Sequence, residues 1–290
     1  MDSNMKRGIL SNGIAVALLA SVSPAMGLSK LAALALAIQW VVYLIHGLPY
    51  QSEKFYDASG SLTYLAVVLT ALLSKERHNA RAIISSFLVV IWCTRLGSFL
   101  FARILKDGRD SRFDKFKEHW LRFLGVWTIQ ALWFFLVASP ALVVSTSEGC
   151  DARSVGLLDA IGWSVWVAAF LLEVVADAQK GSFRANAANA KKFITTGLWT
   201  YSRHPNYFGE ICMWIGICLS GSSCFTGAQW LSWLSPLTTY VLLIQVSGVP
   251  LLEAKGEKEW GELPEYQWYM KHTPCIIPAF TCPPAYRKDS

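Results

Sequence analysis

Arg203, His204, Asn206, Tyr207 and Glu210 stand together in the stretch "RHPNYFGE", and an apolar run begins directly behind them. Pro205 has no N–H to lose at a first helical position, so the spacing predicts a helix that starts there with His204 close to its N-cap. A helix N-terminus presents free backbone N–H groups and the positive end of a dipole, and Arg203 adds a planar, permanently charged fork. That combination suits phosphate. Asn206 and Glu210 lie one turn apart, and Tyr207 and Glu210 three residues apart. One helix face therefore offers an amide, a phenol and a carboxylate just below the phosphate level. Taken singly the residues have plainer uses: Arg203 as an interface anchor, His204 as a cap, Tyr207 in an aromatic belt, Glu210 as a buried ion-pair partner. Their coincidence in eight residues favours a ligand.

Glu173, Asp177, Lys180 and Arg184 follow at i, i+4, i+7 and i+11, so a helix through them carries all four on one stripe. The plain reading is a set of ion pairs along a solvated helix end. The next stretch, "KGSFRANAANAKKFITTGLWTYSRHPNY", adds Lys191, Lys192 and several amide groups before the chain turns apolar again. That basic surrounding tips the reading towards an anionic ligand.

Membrane helices must position these groups. Of 290 residues, 53% are hydrophobic and 16% charged, and the mean hydropathy is +0.36, well to the apolar side of an ordinary soluble domain. A helix needs about 20 apolar residues to cross a hydrocarbon core. Seven stretches qualify or nearly do: Leu28–Leu48, Ser61–Leu73, Ala82–Phe101, Phe123–Val144, Val155–Ala176, Tyr207–Ser220 and Trp230–Val249. The expected fold class is all-α, a polytopic transmembrane bundle of seven spans, or eight if Gly8–Met26 is another. That first segment follows Lys6-Arg7 and ends in "SVSPAMG", so residues 1–27 read either as a span or as a cleavable signal, with 28–290 a single integral domain. No alternating strand pattern, Gly-rich phosphate loop or HExxH occurs, which sets aside the soluble nucleotide folds. The seven cysteines form no CxxC pair and no metal-like array with the five histidines; no metal is expected, and most of them read as apolar filler.

Lys and Arg are retained on the cytoplasmic side of short loops. The loop from Arg103 to Arg122 carries seven of them and is predicted to be cytoplasmic. Alternation then places Ser145–Ser154 outside, and the Asp177–His204 loop and the C-terminus inside. The loop Leu73–Arg81, with Lys75, Arg77 and Arg81, falls on the outer side against the rule.

"TTGLWTYSRHPNYFGEICMWIGICLSG", the upstream "EVVADAQKGSFR" and the tail "SGVPLLE…YQWYMKHTPCIIPAF" resemble the C-terminal domain of the steroid 5-alpha-reductase family, in particular a branch of polytopic membrane proteins. "YDASGSLTYL" and "TRLGSFLFARILKDGRDSRFD" resemble the same branch, so the likeness covers most of the sequence after about Tyr50. The Arg-His-Pro-x-Tyr element is shared with membrane sterol reductases and with isoprenylcysteine and phospholipid methyltransferases, and so marks a superfamily rather than a reaction. The resemblance implies NADPH as cofactor. It assigns Asp177 and Arg184 to the dinucleotide, Asn206 and Glu210 to the region of the nicotinamide, and Arg203 and His204 to the arginine-histidine pair of the sterol reductases. Lys180, Lys191 and Lys192 join that cofactor set, the last two suited to the extra phosphate of NADPH.

The departures concern the substrate. Steroid reductases polarise a ketone with an early glutamate and a tyrosine; here Trp92 occupies the tyrosine's place, and Glu53 and Asp57 are loose counterparts of the glutamate. An indole N–H donates a hydrogen bond but delivers no proton. Asp57 also suits a helix cap. The expected function is a membrane oxidoreductase reducing a carbon–carbon double bond in a lipid-soluble substrate, with Tyr207 or Asp57 as proton donor. The alternatives are a membrane methyltransferase using S-adenosylmethionine and a non-enzymatic lipid-binding protein. The expected partners are the lipid bilayer and the small substrate, not nucleic acid. The expected location is the endoplasmic reticulum of a eukaryote or the inner membrane of a bacterium.

Overall fold

A segment in lipid must satisfy its backbone N–H and C=O groups internally, which makes apolar runs helical. The computed structural model describes residues 2–76 and 79–281, Asp107 by its backbone alone, and among them it contains helices and no strand. Seven helices are long and apolar enough to cross a membrane: α1 (Ser3–Ala25), α2 (Ser29–Tyr50), α3 (Tyr56–Leu73), α4 (Ala80–Asp107), α5 (Trp120–Thr146), α6 (Leu157–Ala185) and α8 (Gly227–Trp260). Between the last two lies α7 (Pro205–Ser222), and α9 (Pro264–His272) follows.

The number seven matches the sequence expectation but its membership does not. α1, which the sequence leaves open as span or signal, belongs to the set, whereas α7 falls below the others in apolarity although it runs antiparallel along α6. Pro205, Asn206, Tyr207 and Glu210 occupy the first turns of α7 and dilute its apolar run.

Local chemistry sets the helix ends. The side chain of Asn79 accepts from the Ala82 N–H at 2.8 Å and starts α4, which stops at Gly108 with φ +77°. His119 Nδ1 accepts from the Leu121 N–H to start α5.

The protein folds as two units, one made of 1–160 and 217–235, the other of 161–216 and 236–290. In the first unit α5 is the central helix: 78% of its apolar window is buried, and α1 to α4 pack around it. Asn12 fixes α1 there, donating to the Leu121 carbonyl at 3.0 Å and accepting from the Thr128 hydroxyl at 2.6 Å. Residues 3–25 are thus a packed element of this unit.

Arg81 and Asp159, both fully buried, form an ion pair in the interior of this unit. Arg81 donates from Nε and Nη2 to the carboxylate at 2.6 and 2.8 Å and spends its other N–H groups on the carbonyls of Cys150, Arg153 and Ser154. Asp159 also accepts from the Ser220 hydroxyl and the Gly156 N–H. Lys75 is paired with Asp151. Two of the three cations that oppose the charge rule are therefore neutralised by acids of the same unit; Arg77 lies outside the described residues.

Cys150 and Cys224 form a disulfide in this unit, a pairing that the sequence reading did not single out. Cys93 and Cys218 are buried thiols, Cys212 and Cys275 are half-buried, and Cys282 lies outside the described residues.

In the second unit α6 and α7 approach closely through glycine. A Cβ at Gly216 would stand 2.5 Å from the Gly162 carbonyl oxygen, and one at Gly209 would stand 2.8 Å from that of Ala169. Small residues permit such contact between membrane helices.

Candidate functional site

The polar cluster is built in the second unit, where α6 runs past the expected end at Ala176 as far as Ala185. Glu173, Asp177, Lys180 and Arg184 therefore do share one helix, graded from buried Glu173 to exposed Arg184. Lys191 and Lys192 are exposed just beyond it, and the Lys191 carbonyl accepts from the Trp260 indole at 2.9 Å.

The loop that follows folds back onto α6. Gly197 turns the backbone with φ +64°, a conformation that suits glycine. The Leu198 N–H then donates to the Gln179 side chain at 2.9 Å and the Trp199 indole to the Ala176 carbonyl at 3.0 Å, while Lys180 Nζ lies 4.3 Å over the Trp199 ring. α7 starts at Pro205, as its sequence predicts, with the Phe208 N–H bonded to the His204 carbonyl. These ties bring Asn206 to Asp177, which accepts from its Nδ2 at 3.1 Å. The His204 and Tyr207 rings stack almost parallel, 7° apart with centroids at 5.4 Å, and Glu210 is half-buried one turn on.

The backbone beside Pro205 is not free. The Arg203 and His204 N–H groups donate to the carbonyls of Pro274 and Cys275, and the Ala279 N–H donates to the Tyr201 carbonyl. Ser202 Oγ donates to the Ile276 carbonyl at 2.8 Å. The segment after α9 thus lies as a strap along 201–204. Arg203, expected to meet phosphate, is engaged inside the protein: Nη1 donates to the Met270 carbonyl, and Nε lies 3.1 Å from Glu253 Oε1.

Glu253 is the residue that the sequence did not single out. Its Oε1 is also 3.1 Å from His204 Nε2, and Cys275 Sγ completes a trio whose ligand atoms all lie within 4.8 Å. A carboxylate directly after the apolar stretch "VPLL" was the available signal. His, Glu and Cys are zinc-type ligands, but the Arg203 cation already occupies Glu253 and competes with a metal there. Burial pushes the Cys275 thiol up, away from the thiolate a metal needs. Burial likewise holds His204 below the usual histidine range, against the opposing pull of Glu253.

Asp57 and Glu53 belong to the first unit. Asp57 sits in the first turn of α3 and pairs with Arg103 at 3.2 Å. Glu53, only 4% exposed, pairs with Lys117 and accepts from the Asp110 N–H at 2.6 Å. Trp92, which the resemblance sets in the place of a tyrosine, is buried edge-to-face against the phenol ring of Tyr64, centroids 5.0 Å apart.

The membrane-crossing helices define a multi-pass integral membrane protein. The family model described as "Protein of unknown function (DUF1295)" matches residues 18–273, and the chain belongs to that family. It is also similar to the "Uncharacterized protein C594.04c" of Schizosaccharomyces pombe, 26% identical over 171 residues, which cover 50% of this chain and 49% of that one. The chain thus spans about half the length of this relative. No solved structure matches it.

Proposed function

We propose that the protein is an NADPH-dependent reductase that saturates a carbon–carbon double bond in a lipid-soluble substrate, as its likeness to the steroid 5-alpha-reductase family implies. One observation carries the reading: Asp177, His204, Asn206 and Tyr207, scattered over 31 residues of sequence, are gathered by α6, its folded-back loop and the start of α7. The residues suit the cofactor at both ends. Arg184, Lys191 and Lys192 are exposed cations suited to phosphate. His204 Nδ1 and Asn206 Oδ1 are buried acceptors with no hydrogen-bond partner, suited to N–H donors of a ligand.

When bound, NADPH supplies the hydride. The Tyr207 phenol, held against the His204 ring, donates the proton to the carbon that does not receive the hydride. Asp57, the other residue that the sequence offers as proton donor, is paired with Arg103 in the first unit. Lys180, seated on Trp199, and Asp177, bonded to Asn206, fix the cofactor side of the α6 stripe. Arg203 acts through the fold, holding α9 and Glu253 in place.

Detergent-purified protein tested with NADPH, NADH and S-adenosylmethionine side by side separates the readings, because a ligand of the native state raises its apparent stability. The reductase reading expects a thermal shift with NADPH and none with S-adenosylmethionine. The reverse pattern assigns the protein to the methyltransferases, and no shift with any of them leaves a lipid-binding role.

A further inference from the structure

The seven cations from Arg103 to Arg122 fall into two groups. Arg103, Arg109, Arg112 and Lys117 are paired with Asp57, Asp114, Asp110 and Glu53. Lys106, Lys115 and Arg122 form no ion pair with an acid among the described residues. Arg122 is held by a neutral group instead. Its Nη1 donates to Asn4 Oδ1 at 2.9 Å, and its guanidinium lies 5.4 Å over the Phe116 ring. That hydrogen bond ties the start of α5 to the start of α1. The two helices run side by side in the same direction, since a Cβ at Gly8 would meet Leu121 and the Arg122 backbone, and one at Gly125 would meet Ser11.

Lys6 and Arg7, within one turn of Asn4, are exposed and likewise without an ion pair, and Lys115 is exposed next to Phe116 in the chain. The exposed acids of these two stretches are Asp2 and Glu118, so cations outnumber them two to one. Lys6, Arg7 and Arg122 stand in the opening turns of helices that carry no acid in their first turn. Cations there meet the positive end of the dipole, which costs stability. Retention of Lys and Arg on one side of a membrane explains why cations stand on this face. It does not explain why these lack counter-charges that their neighbours in the same loop possess. Aromatic rings flank the corner, Trp120 at 54% exposed and Phe116 at 37%. An exposed indole at the end of a span sits at headgroup level, with its apolar body towards the chains. A small soluble anion would use the cations and leave the rings idle, whereas an anionic phospholipid has a phosphate for the first and acyl chains for the second.

We infer that the exposed corner between the starts of α1 and α5 binds an anionic phospholipid of the leaflet in which both helices begin. Lys6, Arg7, Lys115 and Arg122 supply the charge for its phosphate, and Trp120 and Phe116 supply the apolar surface for the upper part of its chains. All six residues belong to the first unit and none to the cofactor set, so this site stands or falls apart from the reductase reading.

Detergent-purified full-length protein is titrated with dioleoylphosphatidylglycerol, dioleoylphosphatidylcholine and glycerol 3-phosphate, with bound lipid read by native mass spectrometry and stability by melting temperature. The parent should bind phosphatidylglycerol roughly tenfold more tightly than phosphatidylcholine, as expected for two or more cations near a phosphate, and gain no stability from glycerol 3-phosphate. Lys6→Gln with Arg7→Gln should cut that preference roughly fivefold or more, without lowering the melting temperature of the lipid-free protein. Lys30→Gln with Lys271→Gln removes the same charge from two exposed lysines elsewhere and should keep the preference. If the first variant fails to insert, Lys115→Gln with Arg122→Gln should show the same loss. No preference in the parent, or a preference kept in the folded corner variants, overturns the inference. Equal losses in the corner and control variants do so as well, because net charge alone would then attract the lipid. Stabilisation by glycerol 3-phosphate as large as that by phosphatidylglycerol would make the corner a site for soluble anions and overturn the lipid as its ligand.

Discussion

Arg203 has the chemistry of a phosphate ligand and the contacts of a brace, with its side chain only 15% exposed and its fork shared between Glu253 and the Met270 carbonyl. Lysine keeps the charge but not the fork. Arg203→Lys should therefore lower stability by about 1–3 kcal/mol, the cost of leaving a half-buried acceptor unpaired, and change NADPH affinity little. Melting curves and NADPH titrations on the same preparation decide it, since weakened binding at unchanged stability would make Arg203 a phosphate contact after all. His204 gives a pH dependence. Its folded form resists protonation because burial outweighs Glu253, while Lys180 and Arg203 add repulsion and Tyr207 and Cys275 line its other sides. The unfolded protein then binds the proton more readily, so this contribution is complete above the ordinary histidine pKa of about 6.5 and is lost as the pH falls below it. Melting temperature should fall over that range in the parent and more shallowly in His204→Asn. Parallel pH curves for the two would remove His204 from the account.

At the scale of elements, the close approach of α6 and α7 depends on Gly209 and Gly216, each with carbonyl oxygen where a side chain would begin. Backbone does not move aside as the end of a flexible residue does. Gly216→Val should destabilise the protein by about 1–3 kcal/mol, an overpacking cost, and should spread the pair of Asp177 and Asn206, which depends on the same two helices. A variant that melts and binds NADPH like the parent would show that this contact is dispensable. Arg81 and Asp159 test the other unit. All five Arg81 donors are used, so Arg81→Met leaves a buried carboxylate without its cation and should cost about 3–5 kcal/mol. A milder loss, read from the melting curve, would mean that water reaches Asp159.

For the whole molecule, two kinds of observation lead to an expected orientation. Disulfides persist in oxidising compartments, and Cys150–Cys224 joins the 145–154 loop, which alternation of the spans places outside, to the far end of α7. That helix runs antiparallel along α6, from Gly209 at Ala169 to Gly216 at Gly162, and so counts as an eighth crossing in this alternation. The contrary cations beside it, Lys75 and Arg81, are neutralised by Asp151 and Asp159. The expected outcome is that the Arg103–Arg122 loop, the end of α6 and the C-terminus of the protein are cytoplasmic, with the disulfide on the lumenal or outer side. An impermeant thiol reagent applied to sealed vesicles of known sidedness should reach Arg184→Cys only from the cytoplasmic face, and a gel shift on reduction should reveal the disulfide. Labelling of Arg184→Cys from the other face would reverse the orientation and take the cytoplasmic cofactor with it.

The sequence by itself determined the class of architecture and the place of the polar cluster. Long apolar runs leave only helices in lipid, Pro205 marks where α7 begins, and the spacing of Glu173, Asp177, Lys180 and Arg184 aligns them once a helix passes through. These are local properties, written in neighbouring residues. What only the tertiary structure decided is which partner each polar group meets. Arg81 reads as a loop charge until Asp159, 78 positions on, closes over it, and Arg203 reads as a free fork until Glu253 and Met270 arrive from 50 and 67 positions away. Ionisable groups in a sequence show their charge, but their role depends on the counter-charge or carbonyl that folding brings within about 3 Å, and separation along the sequence holds no record of that distance.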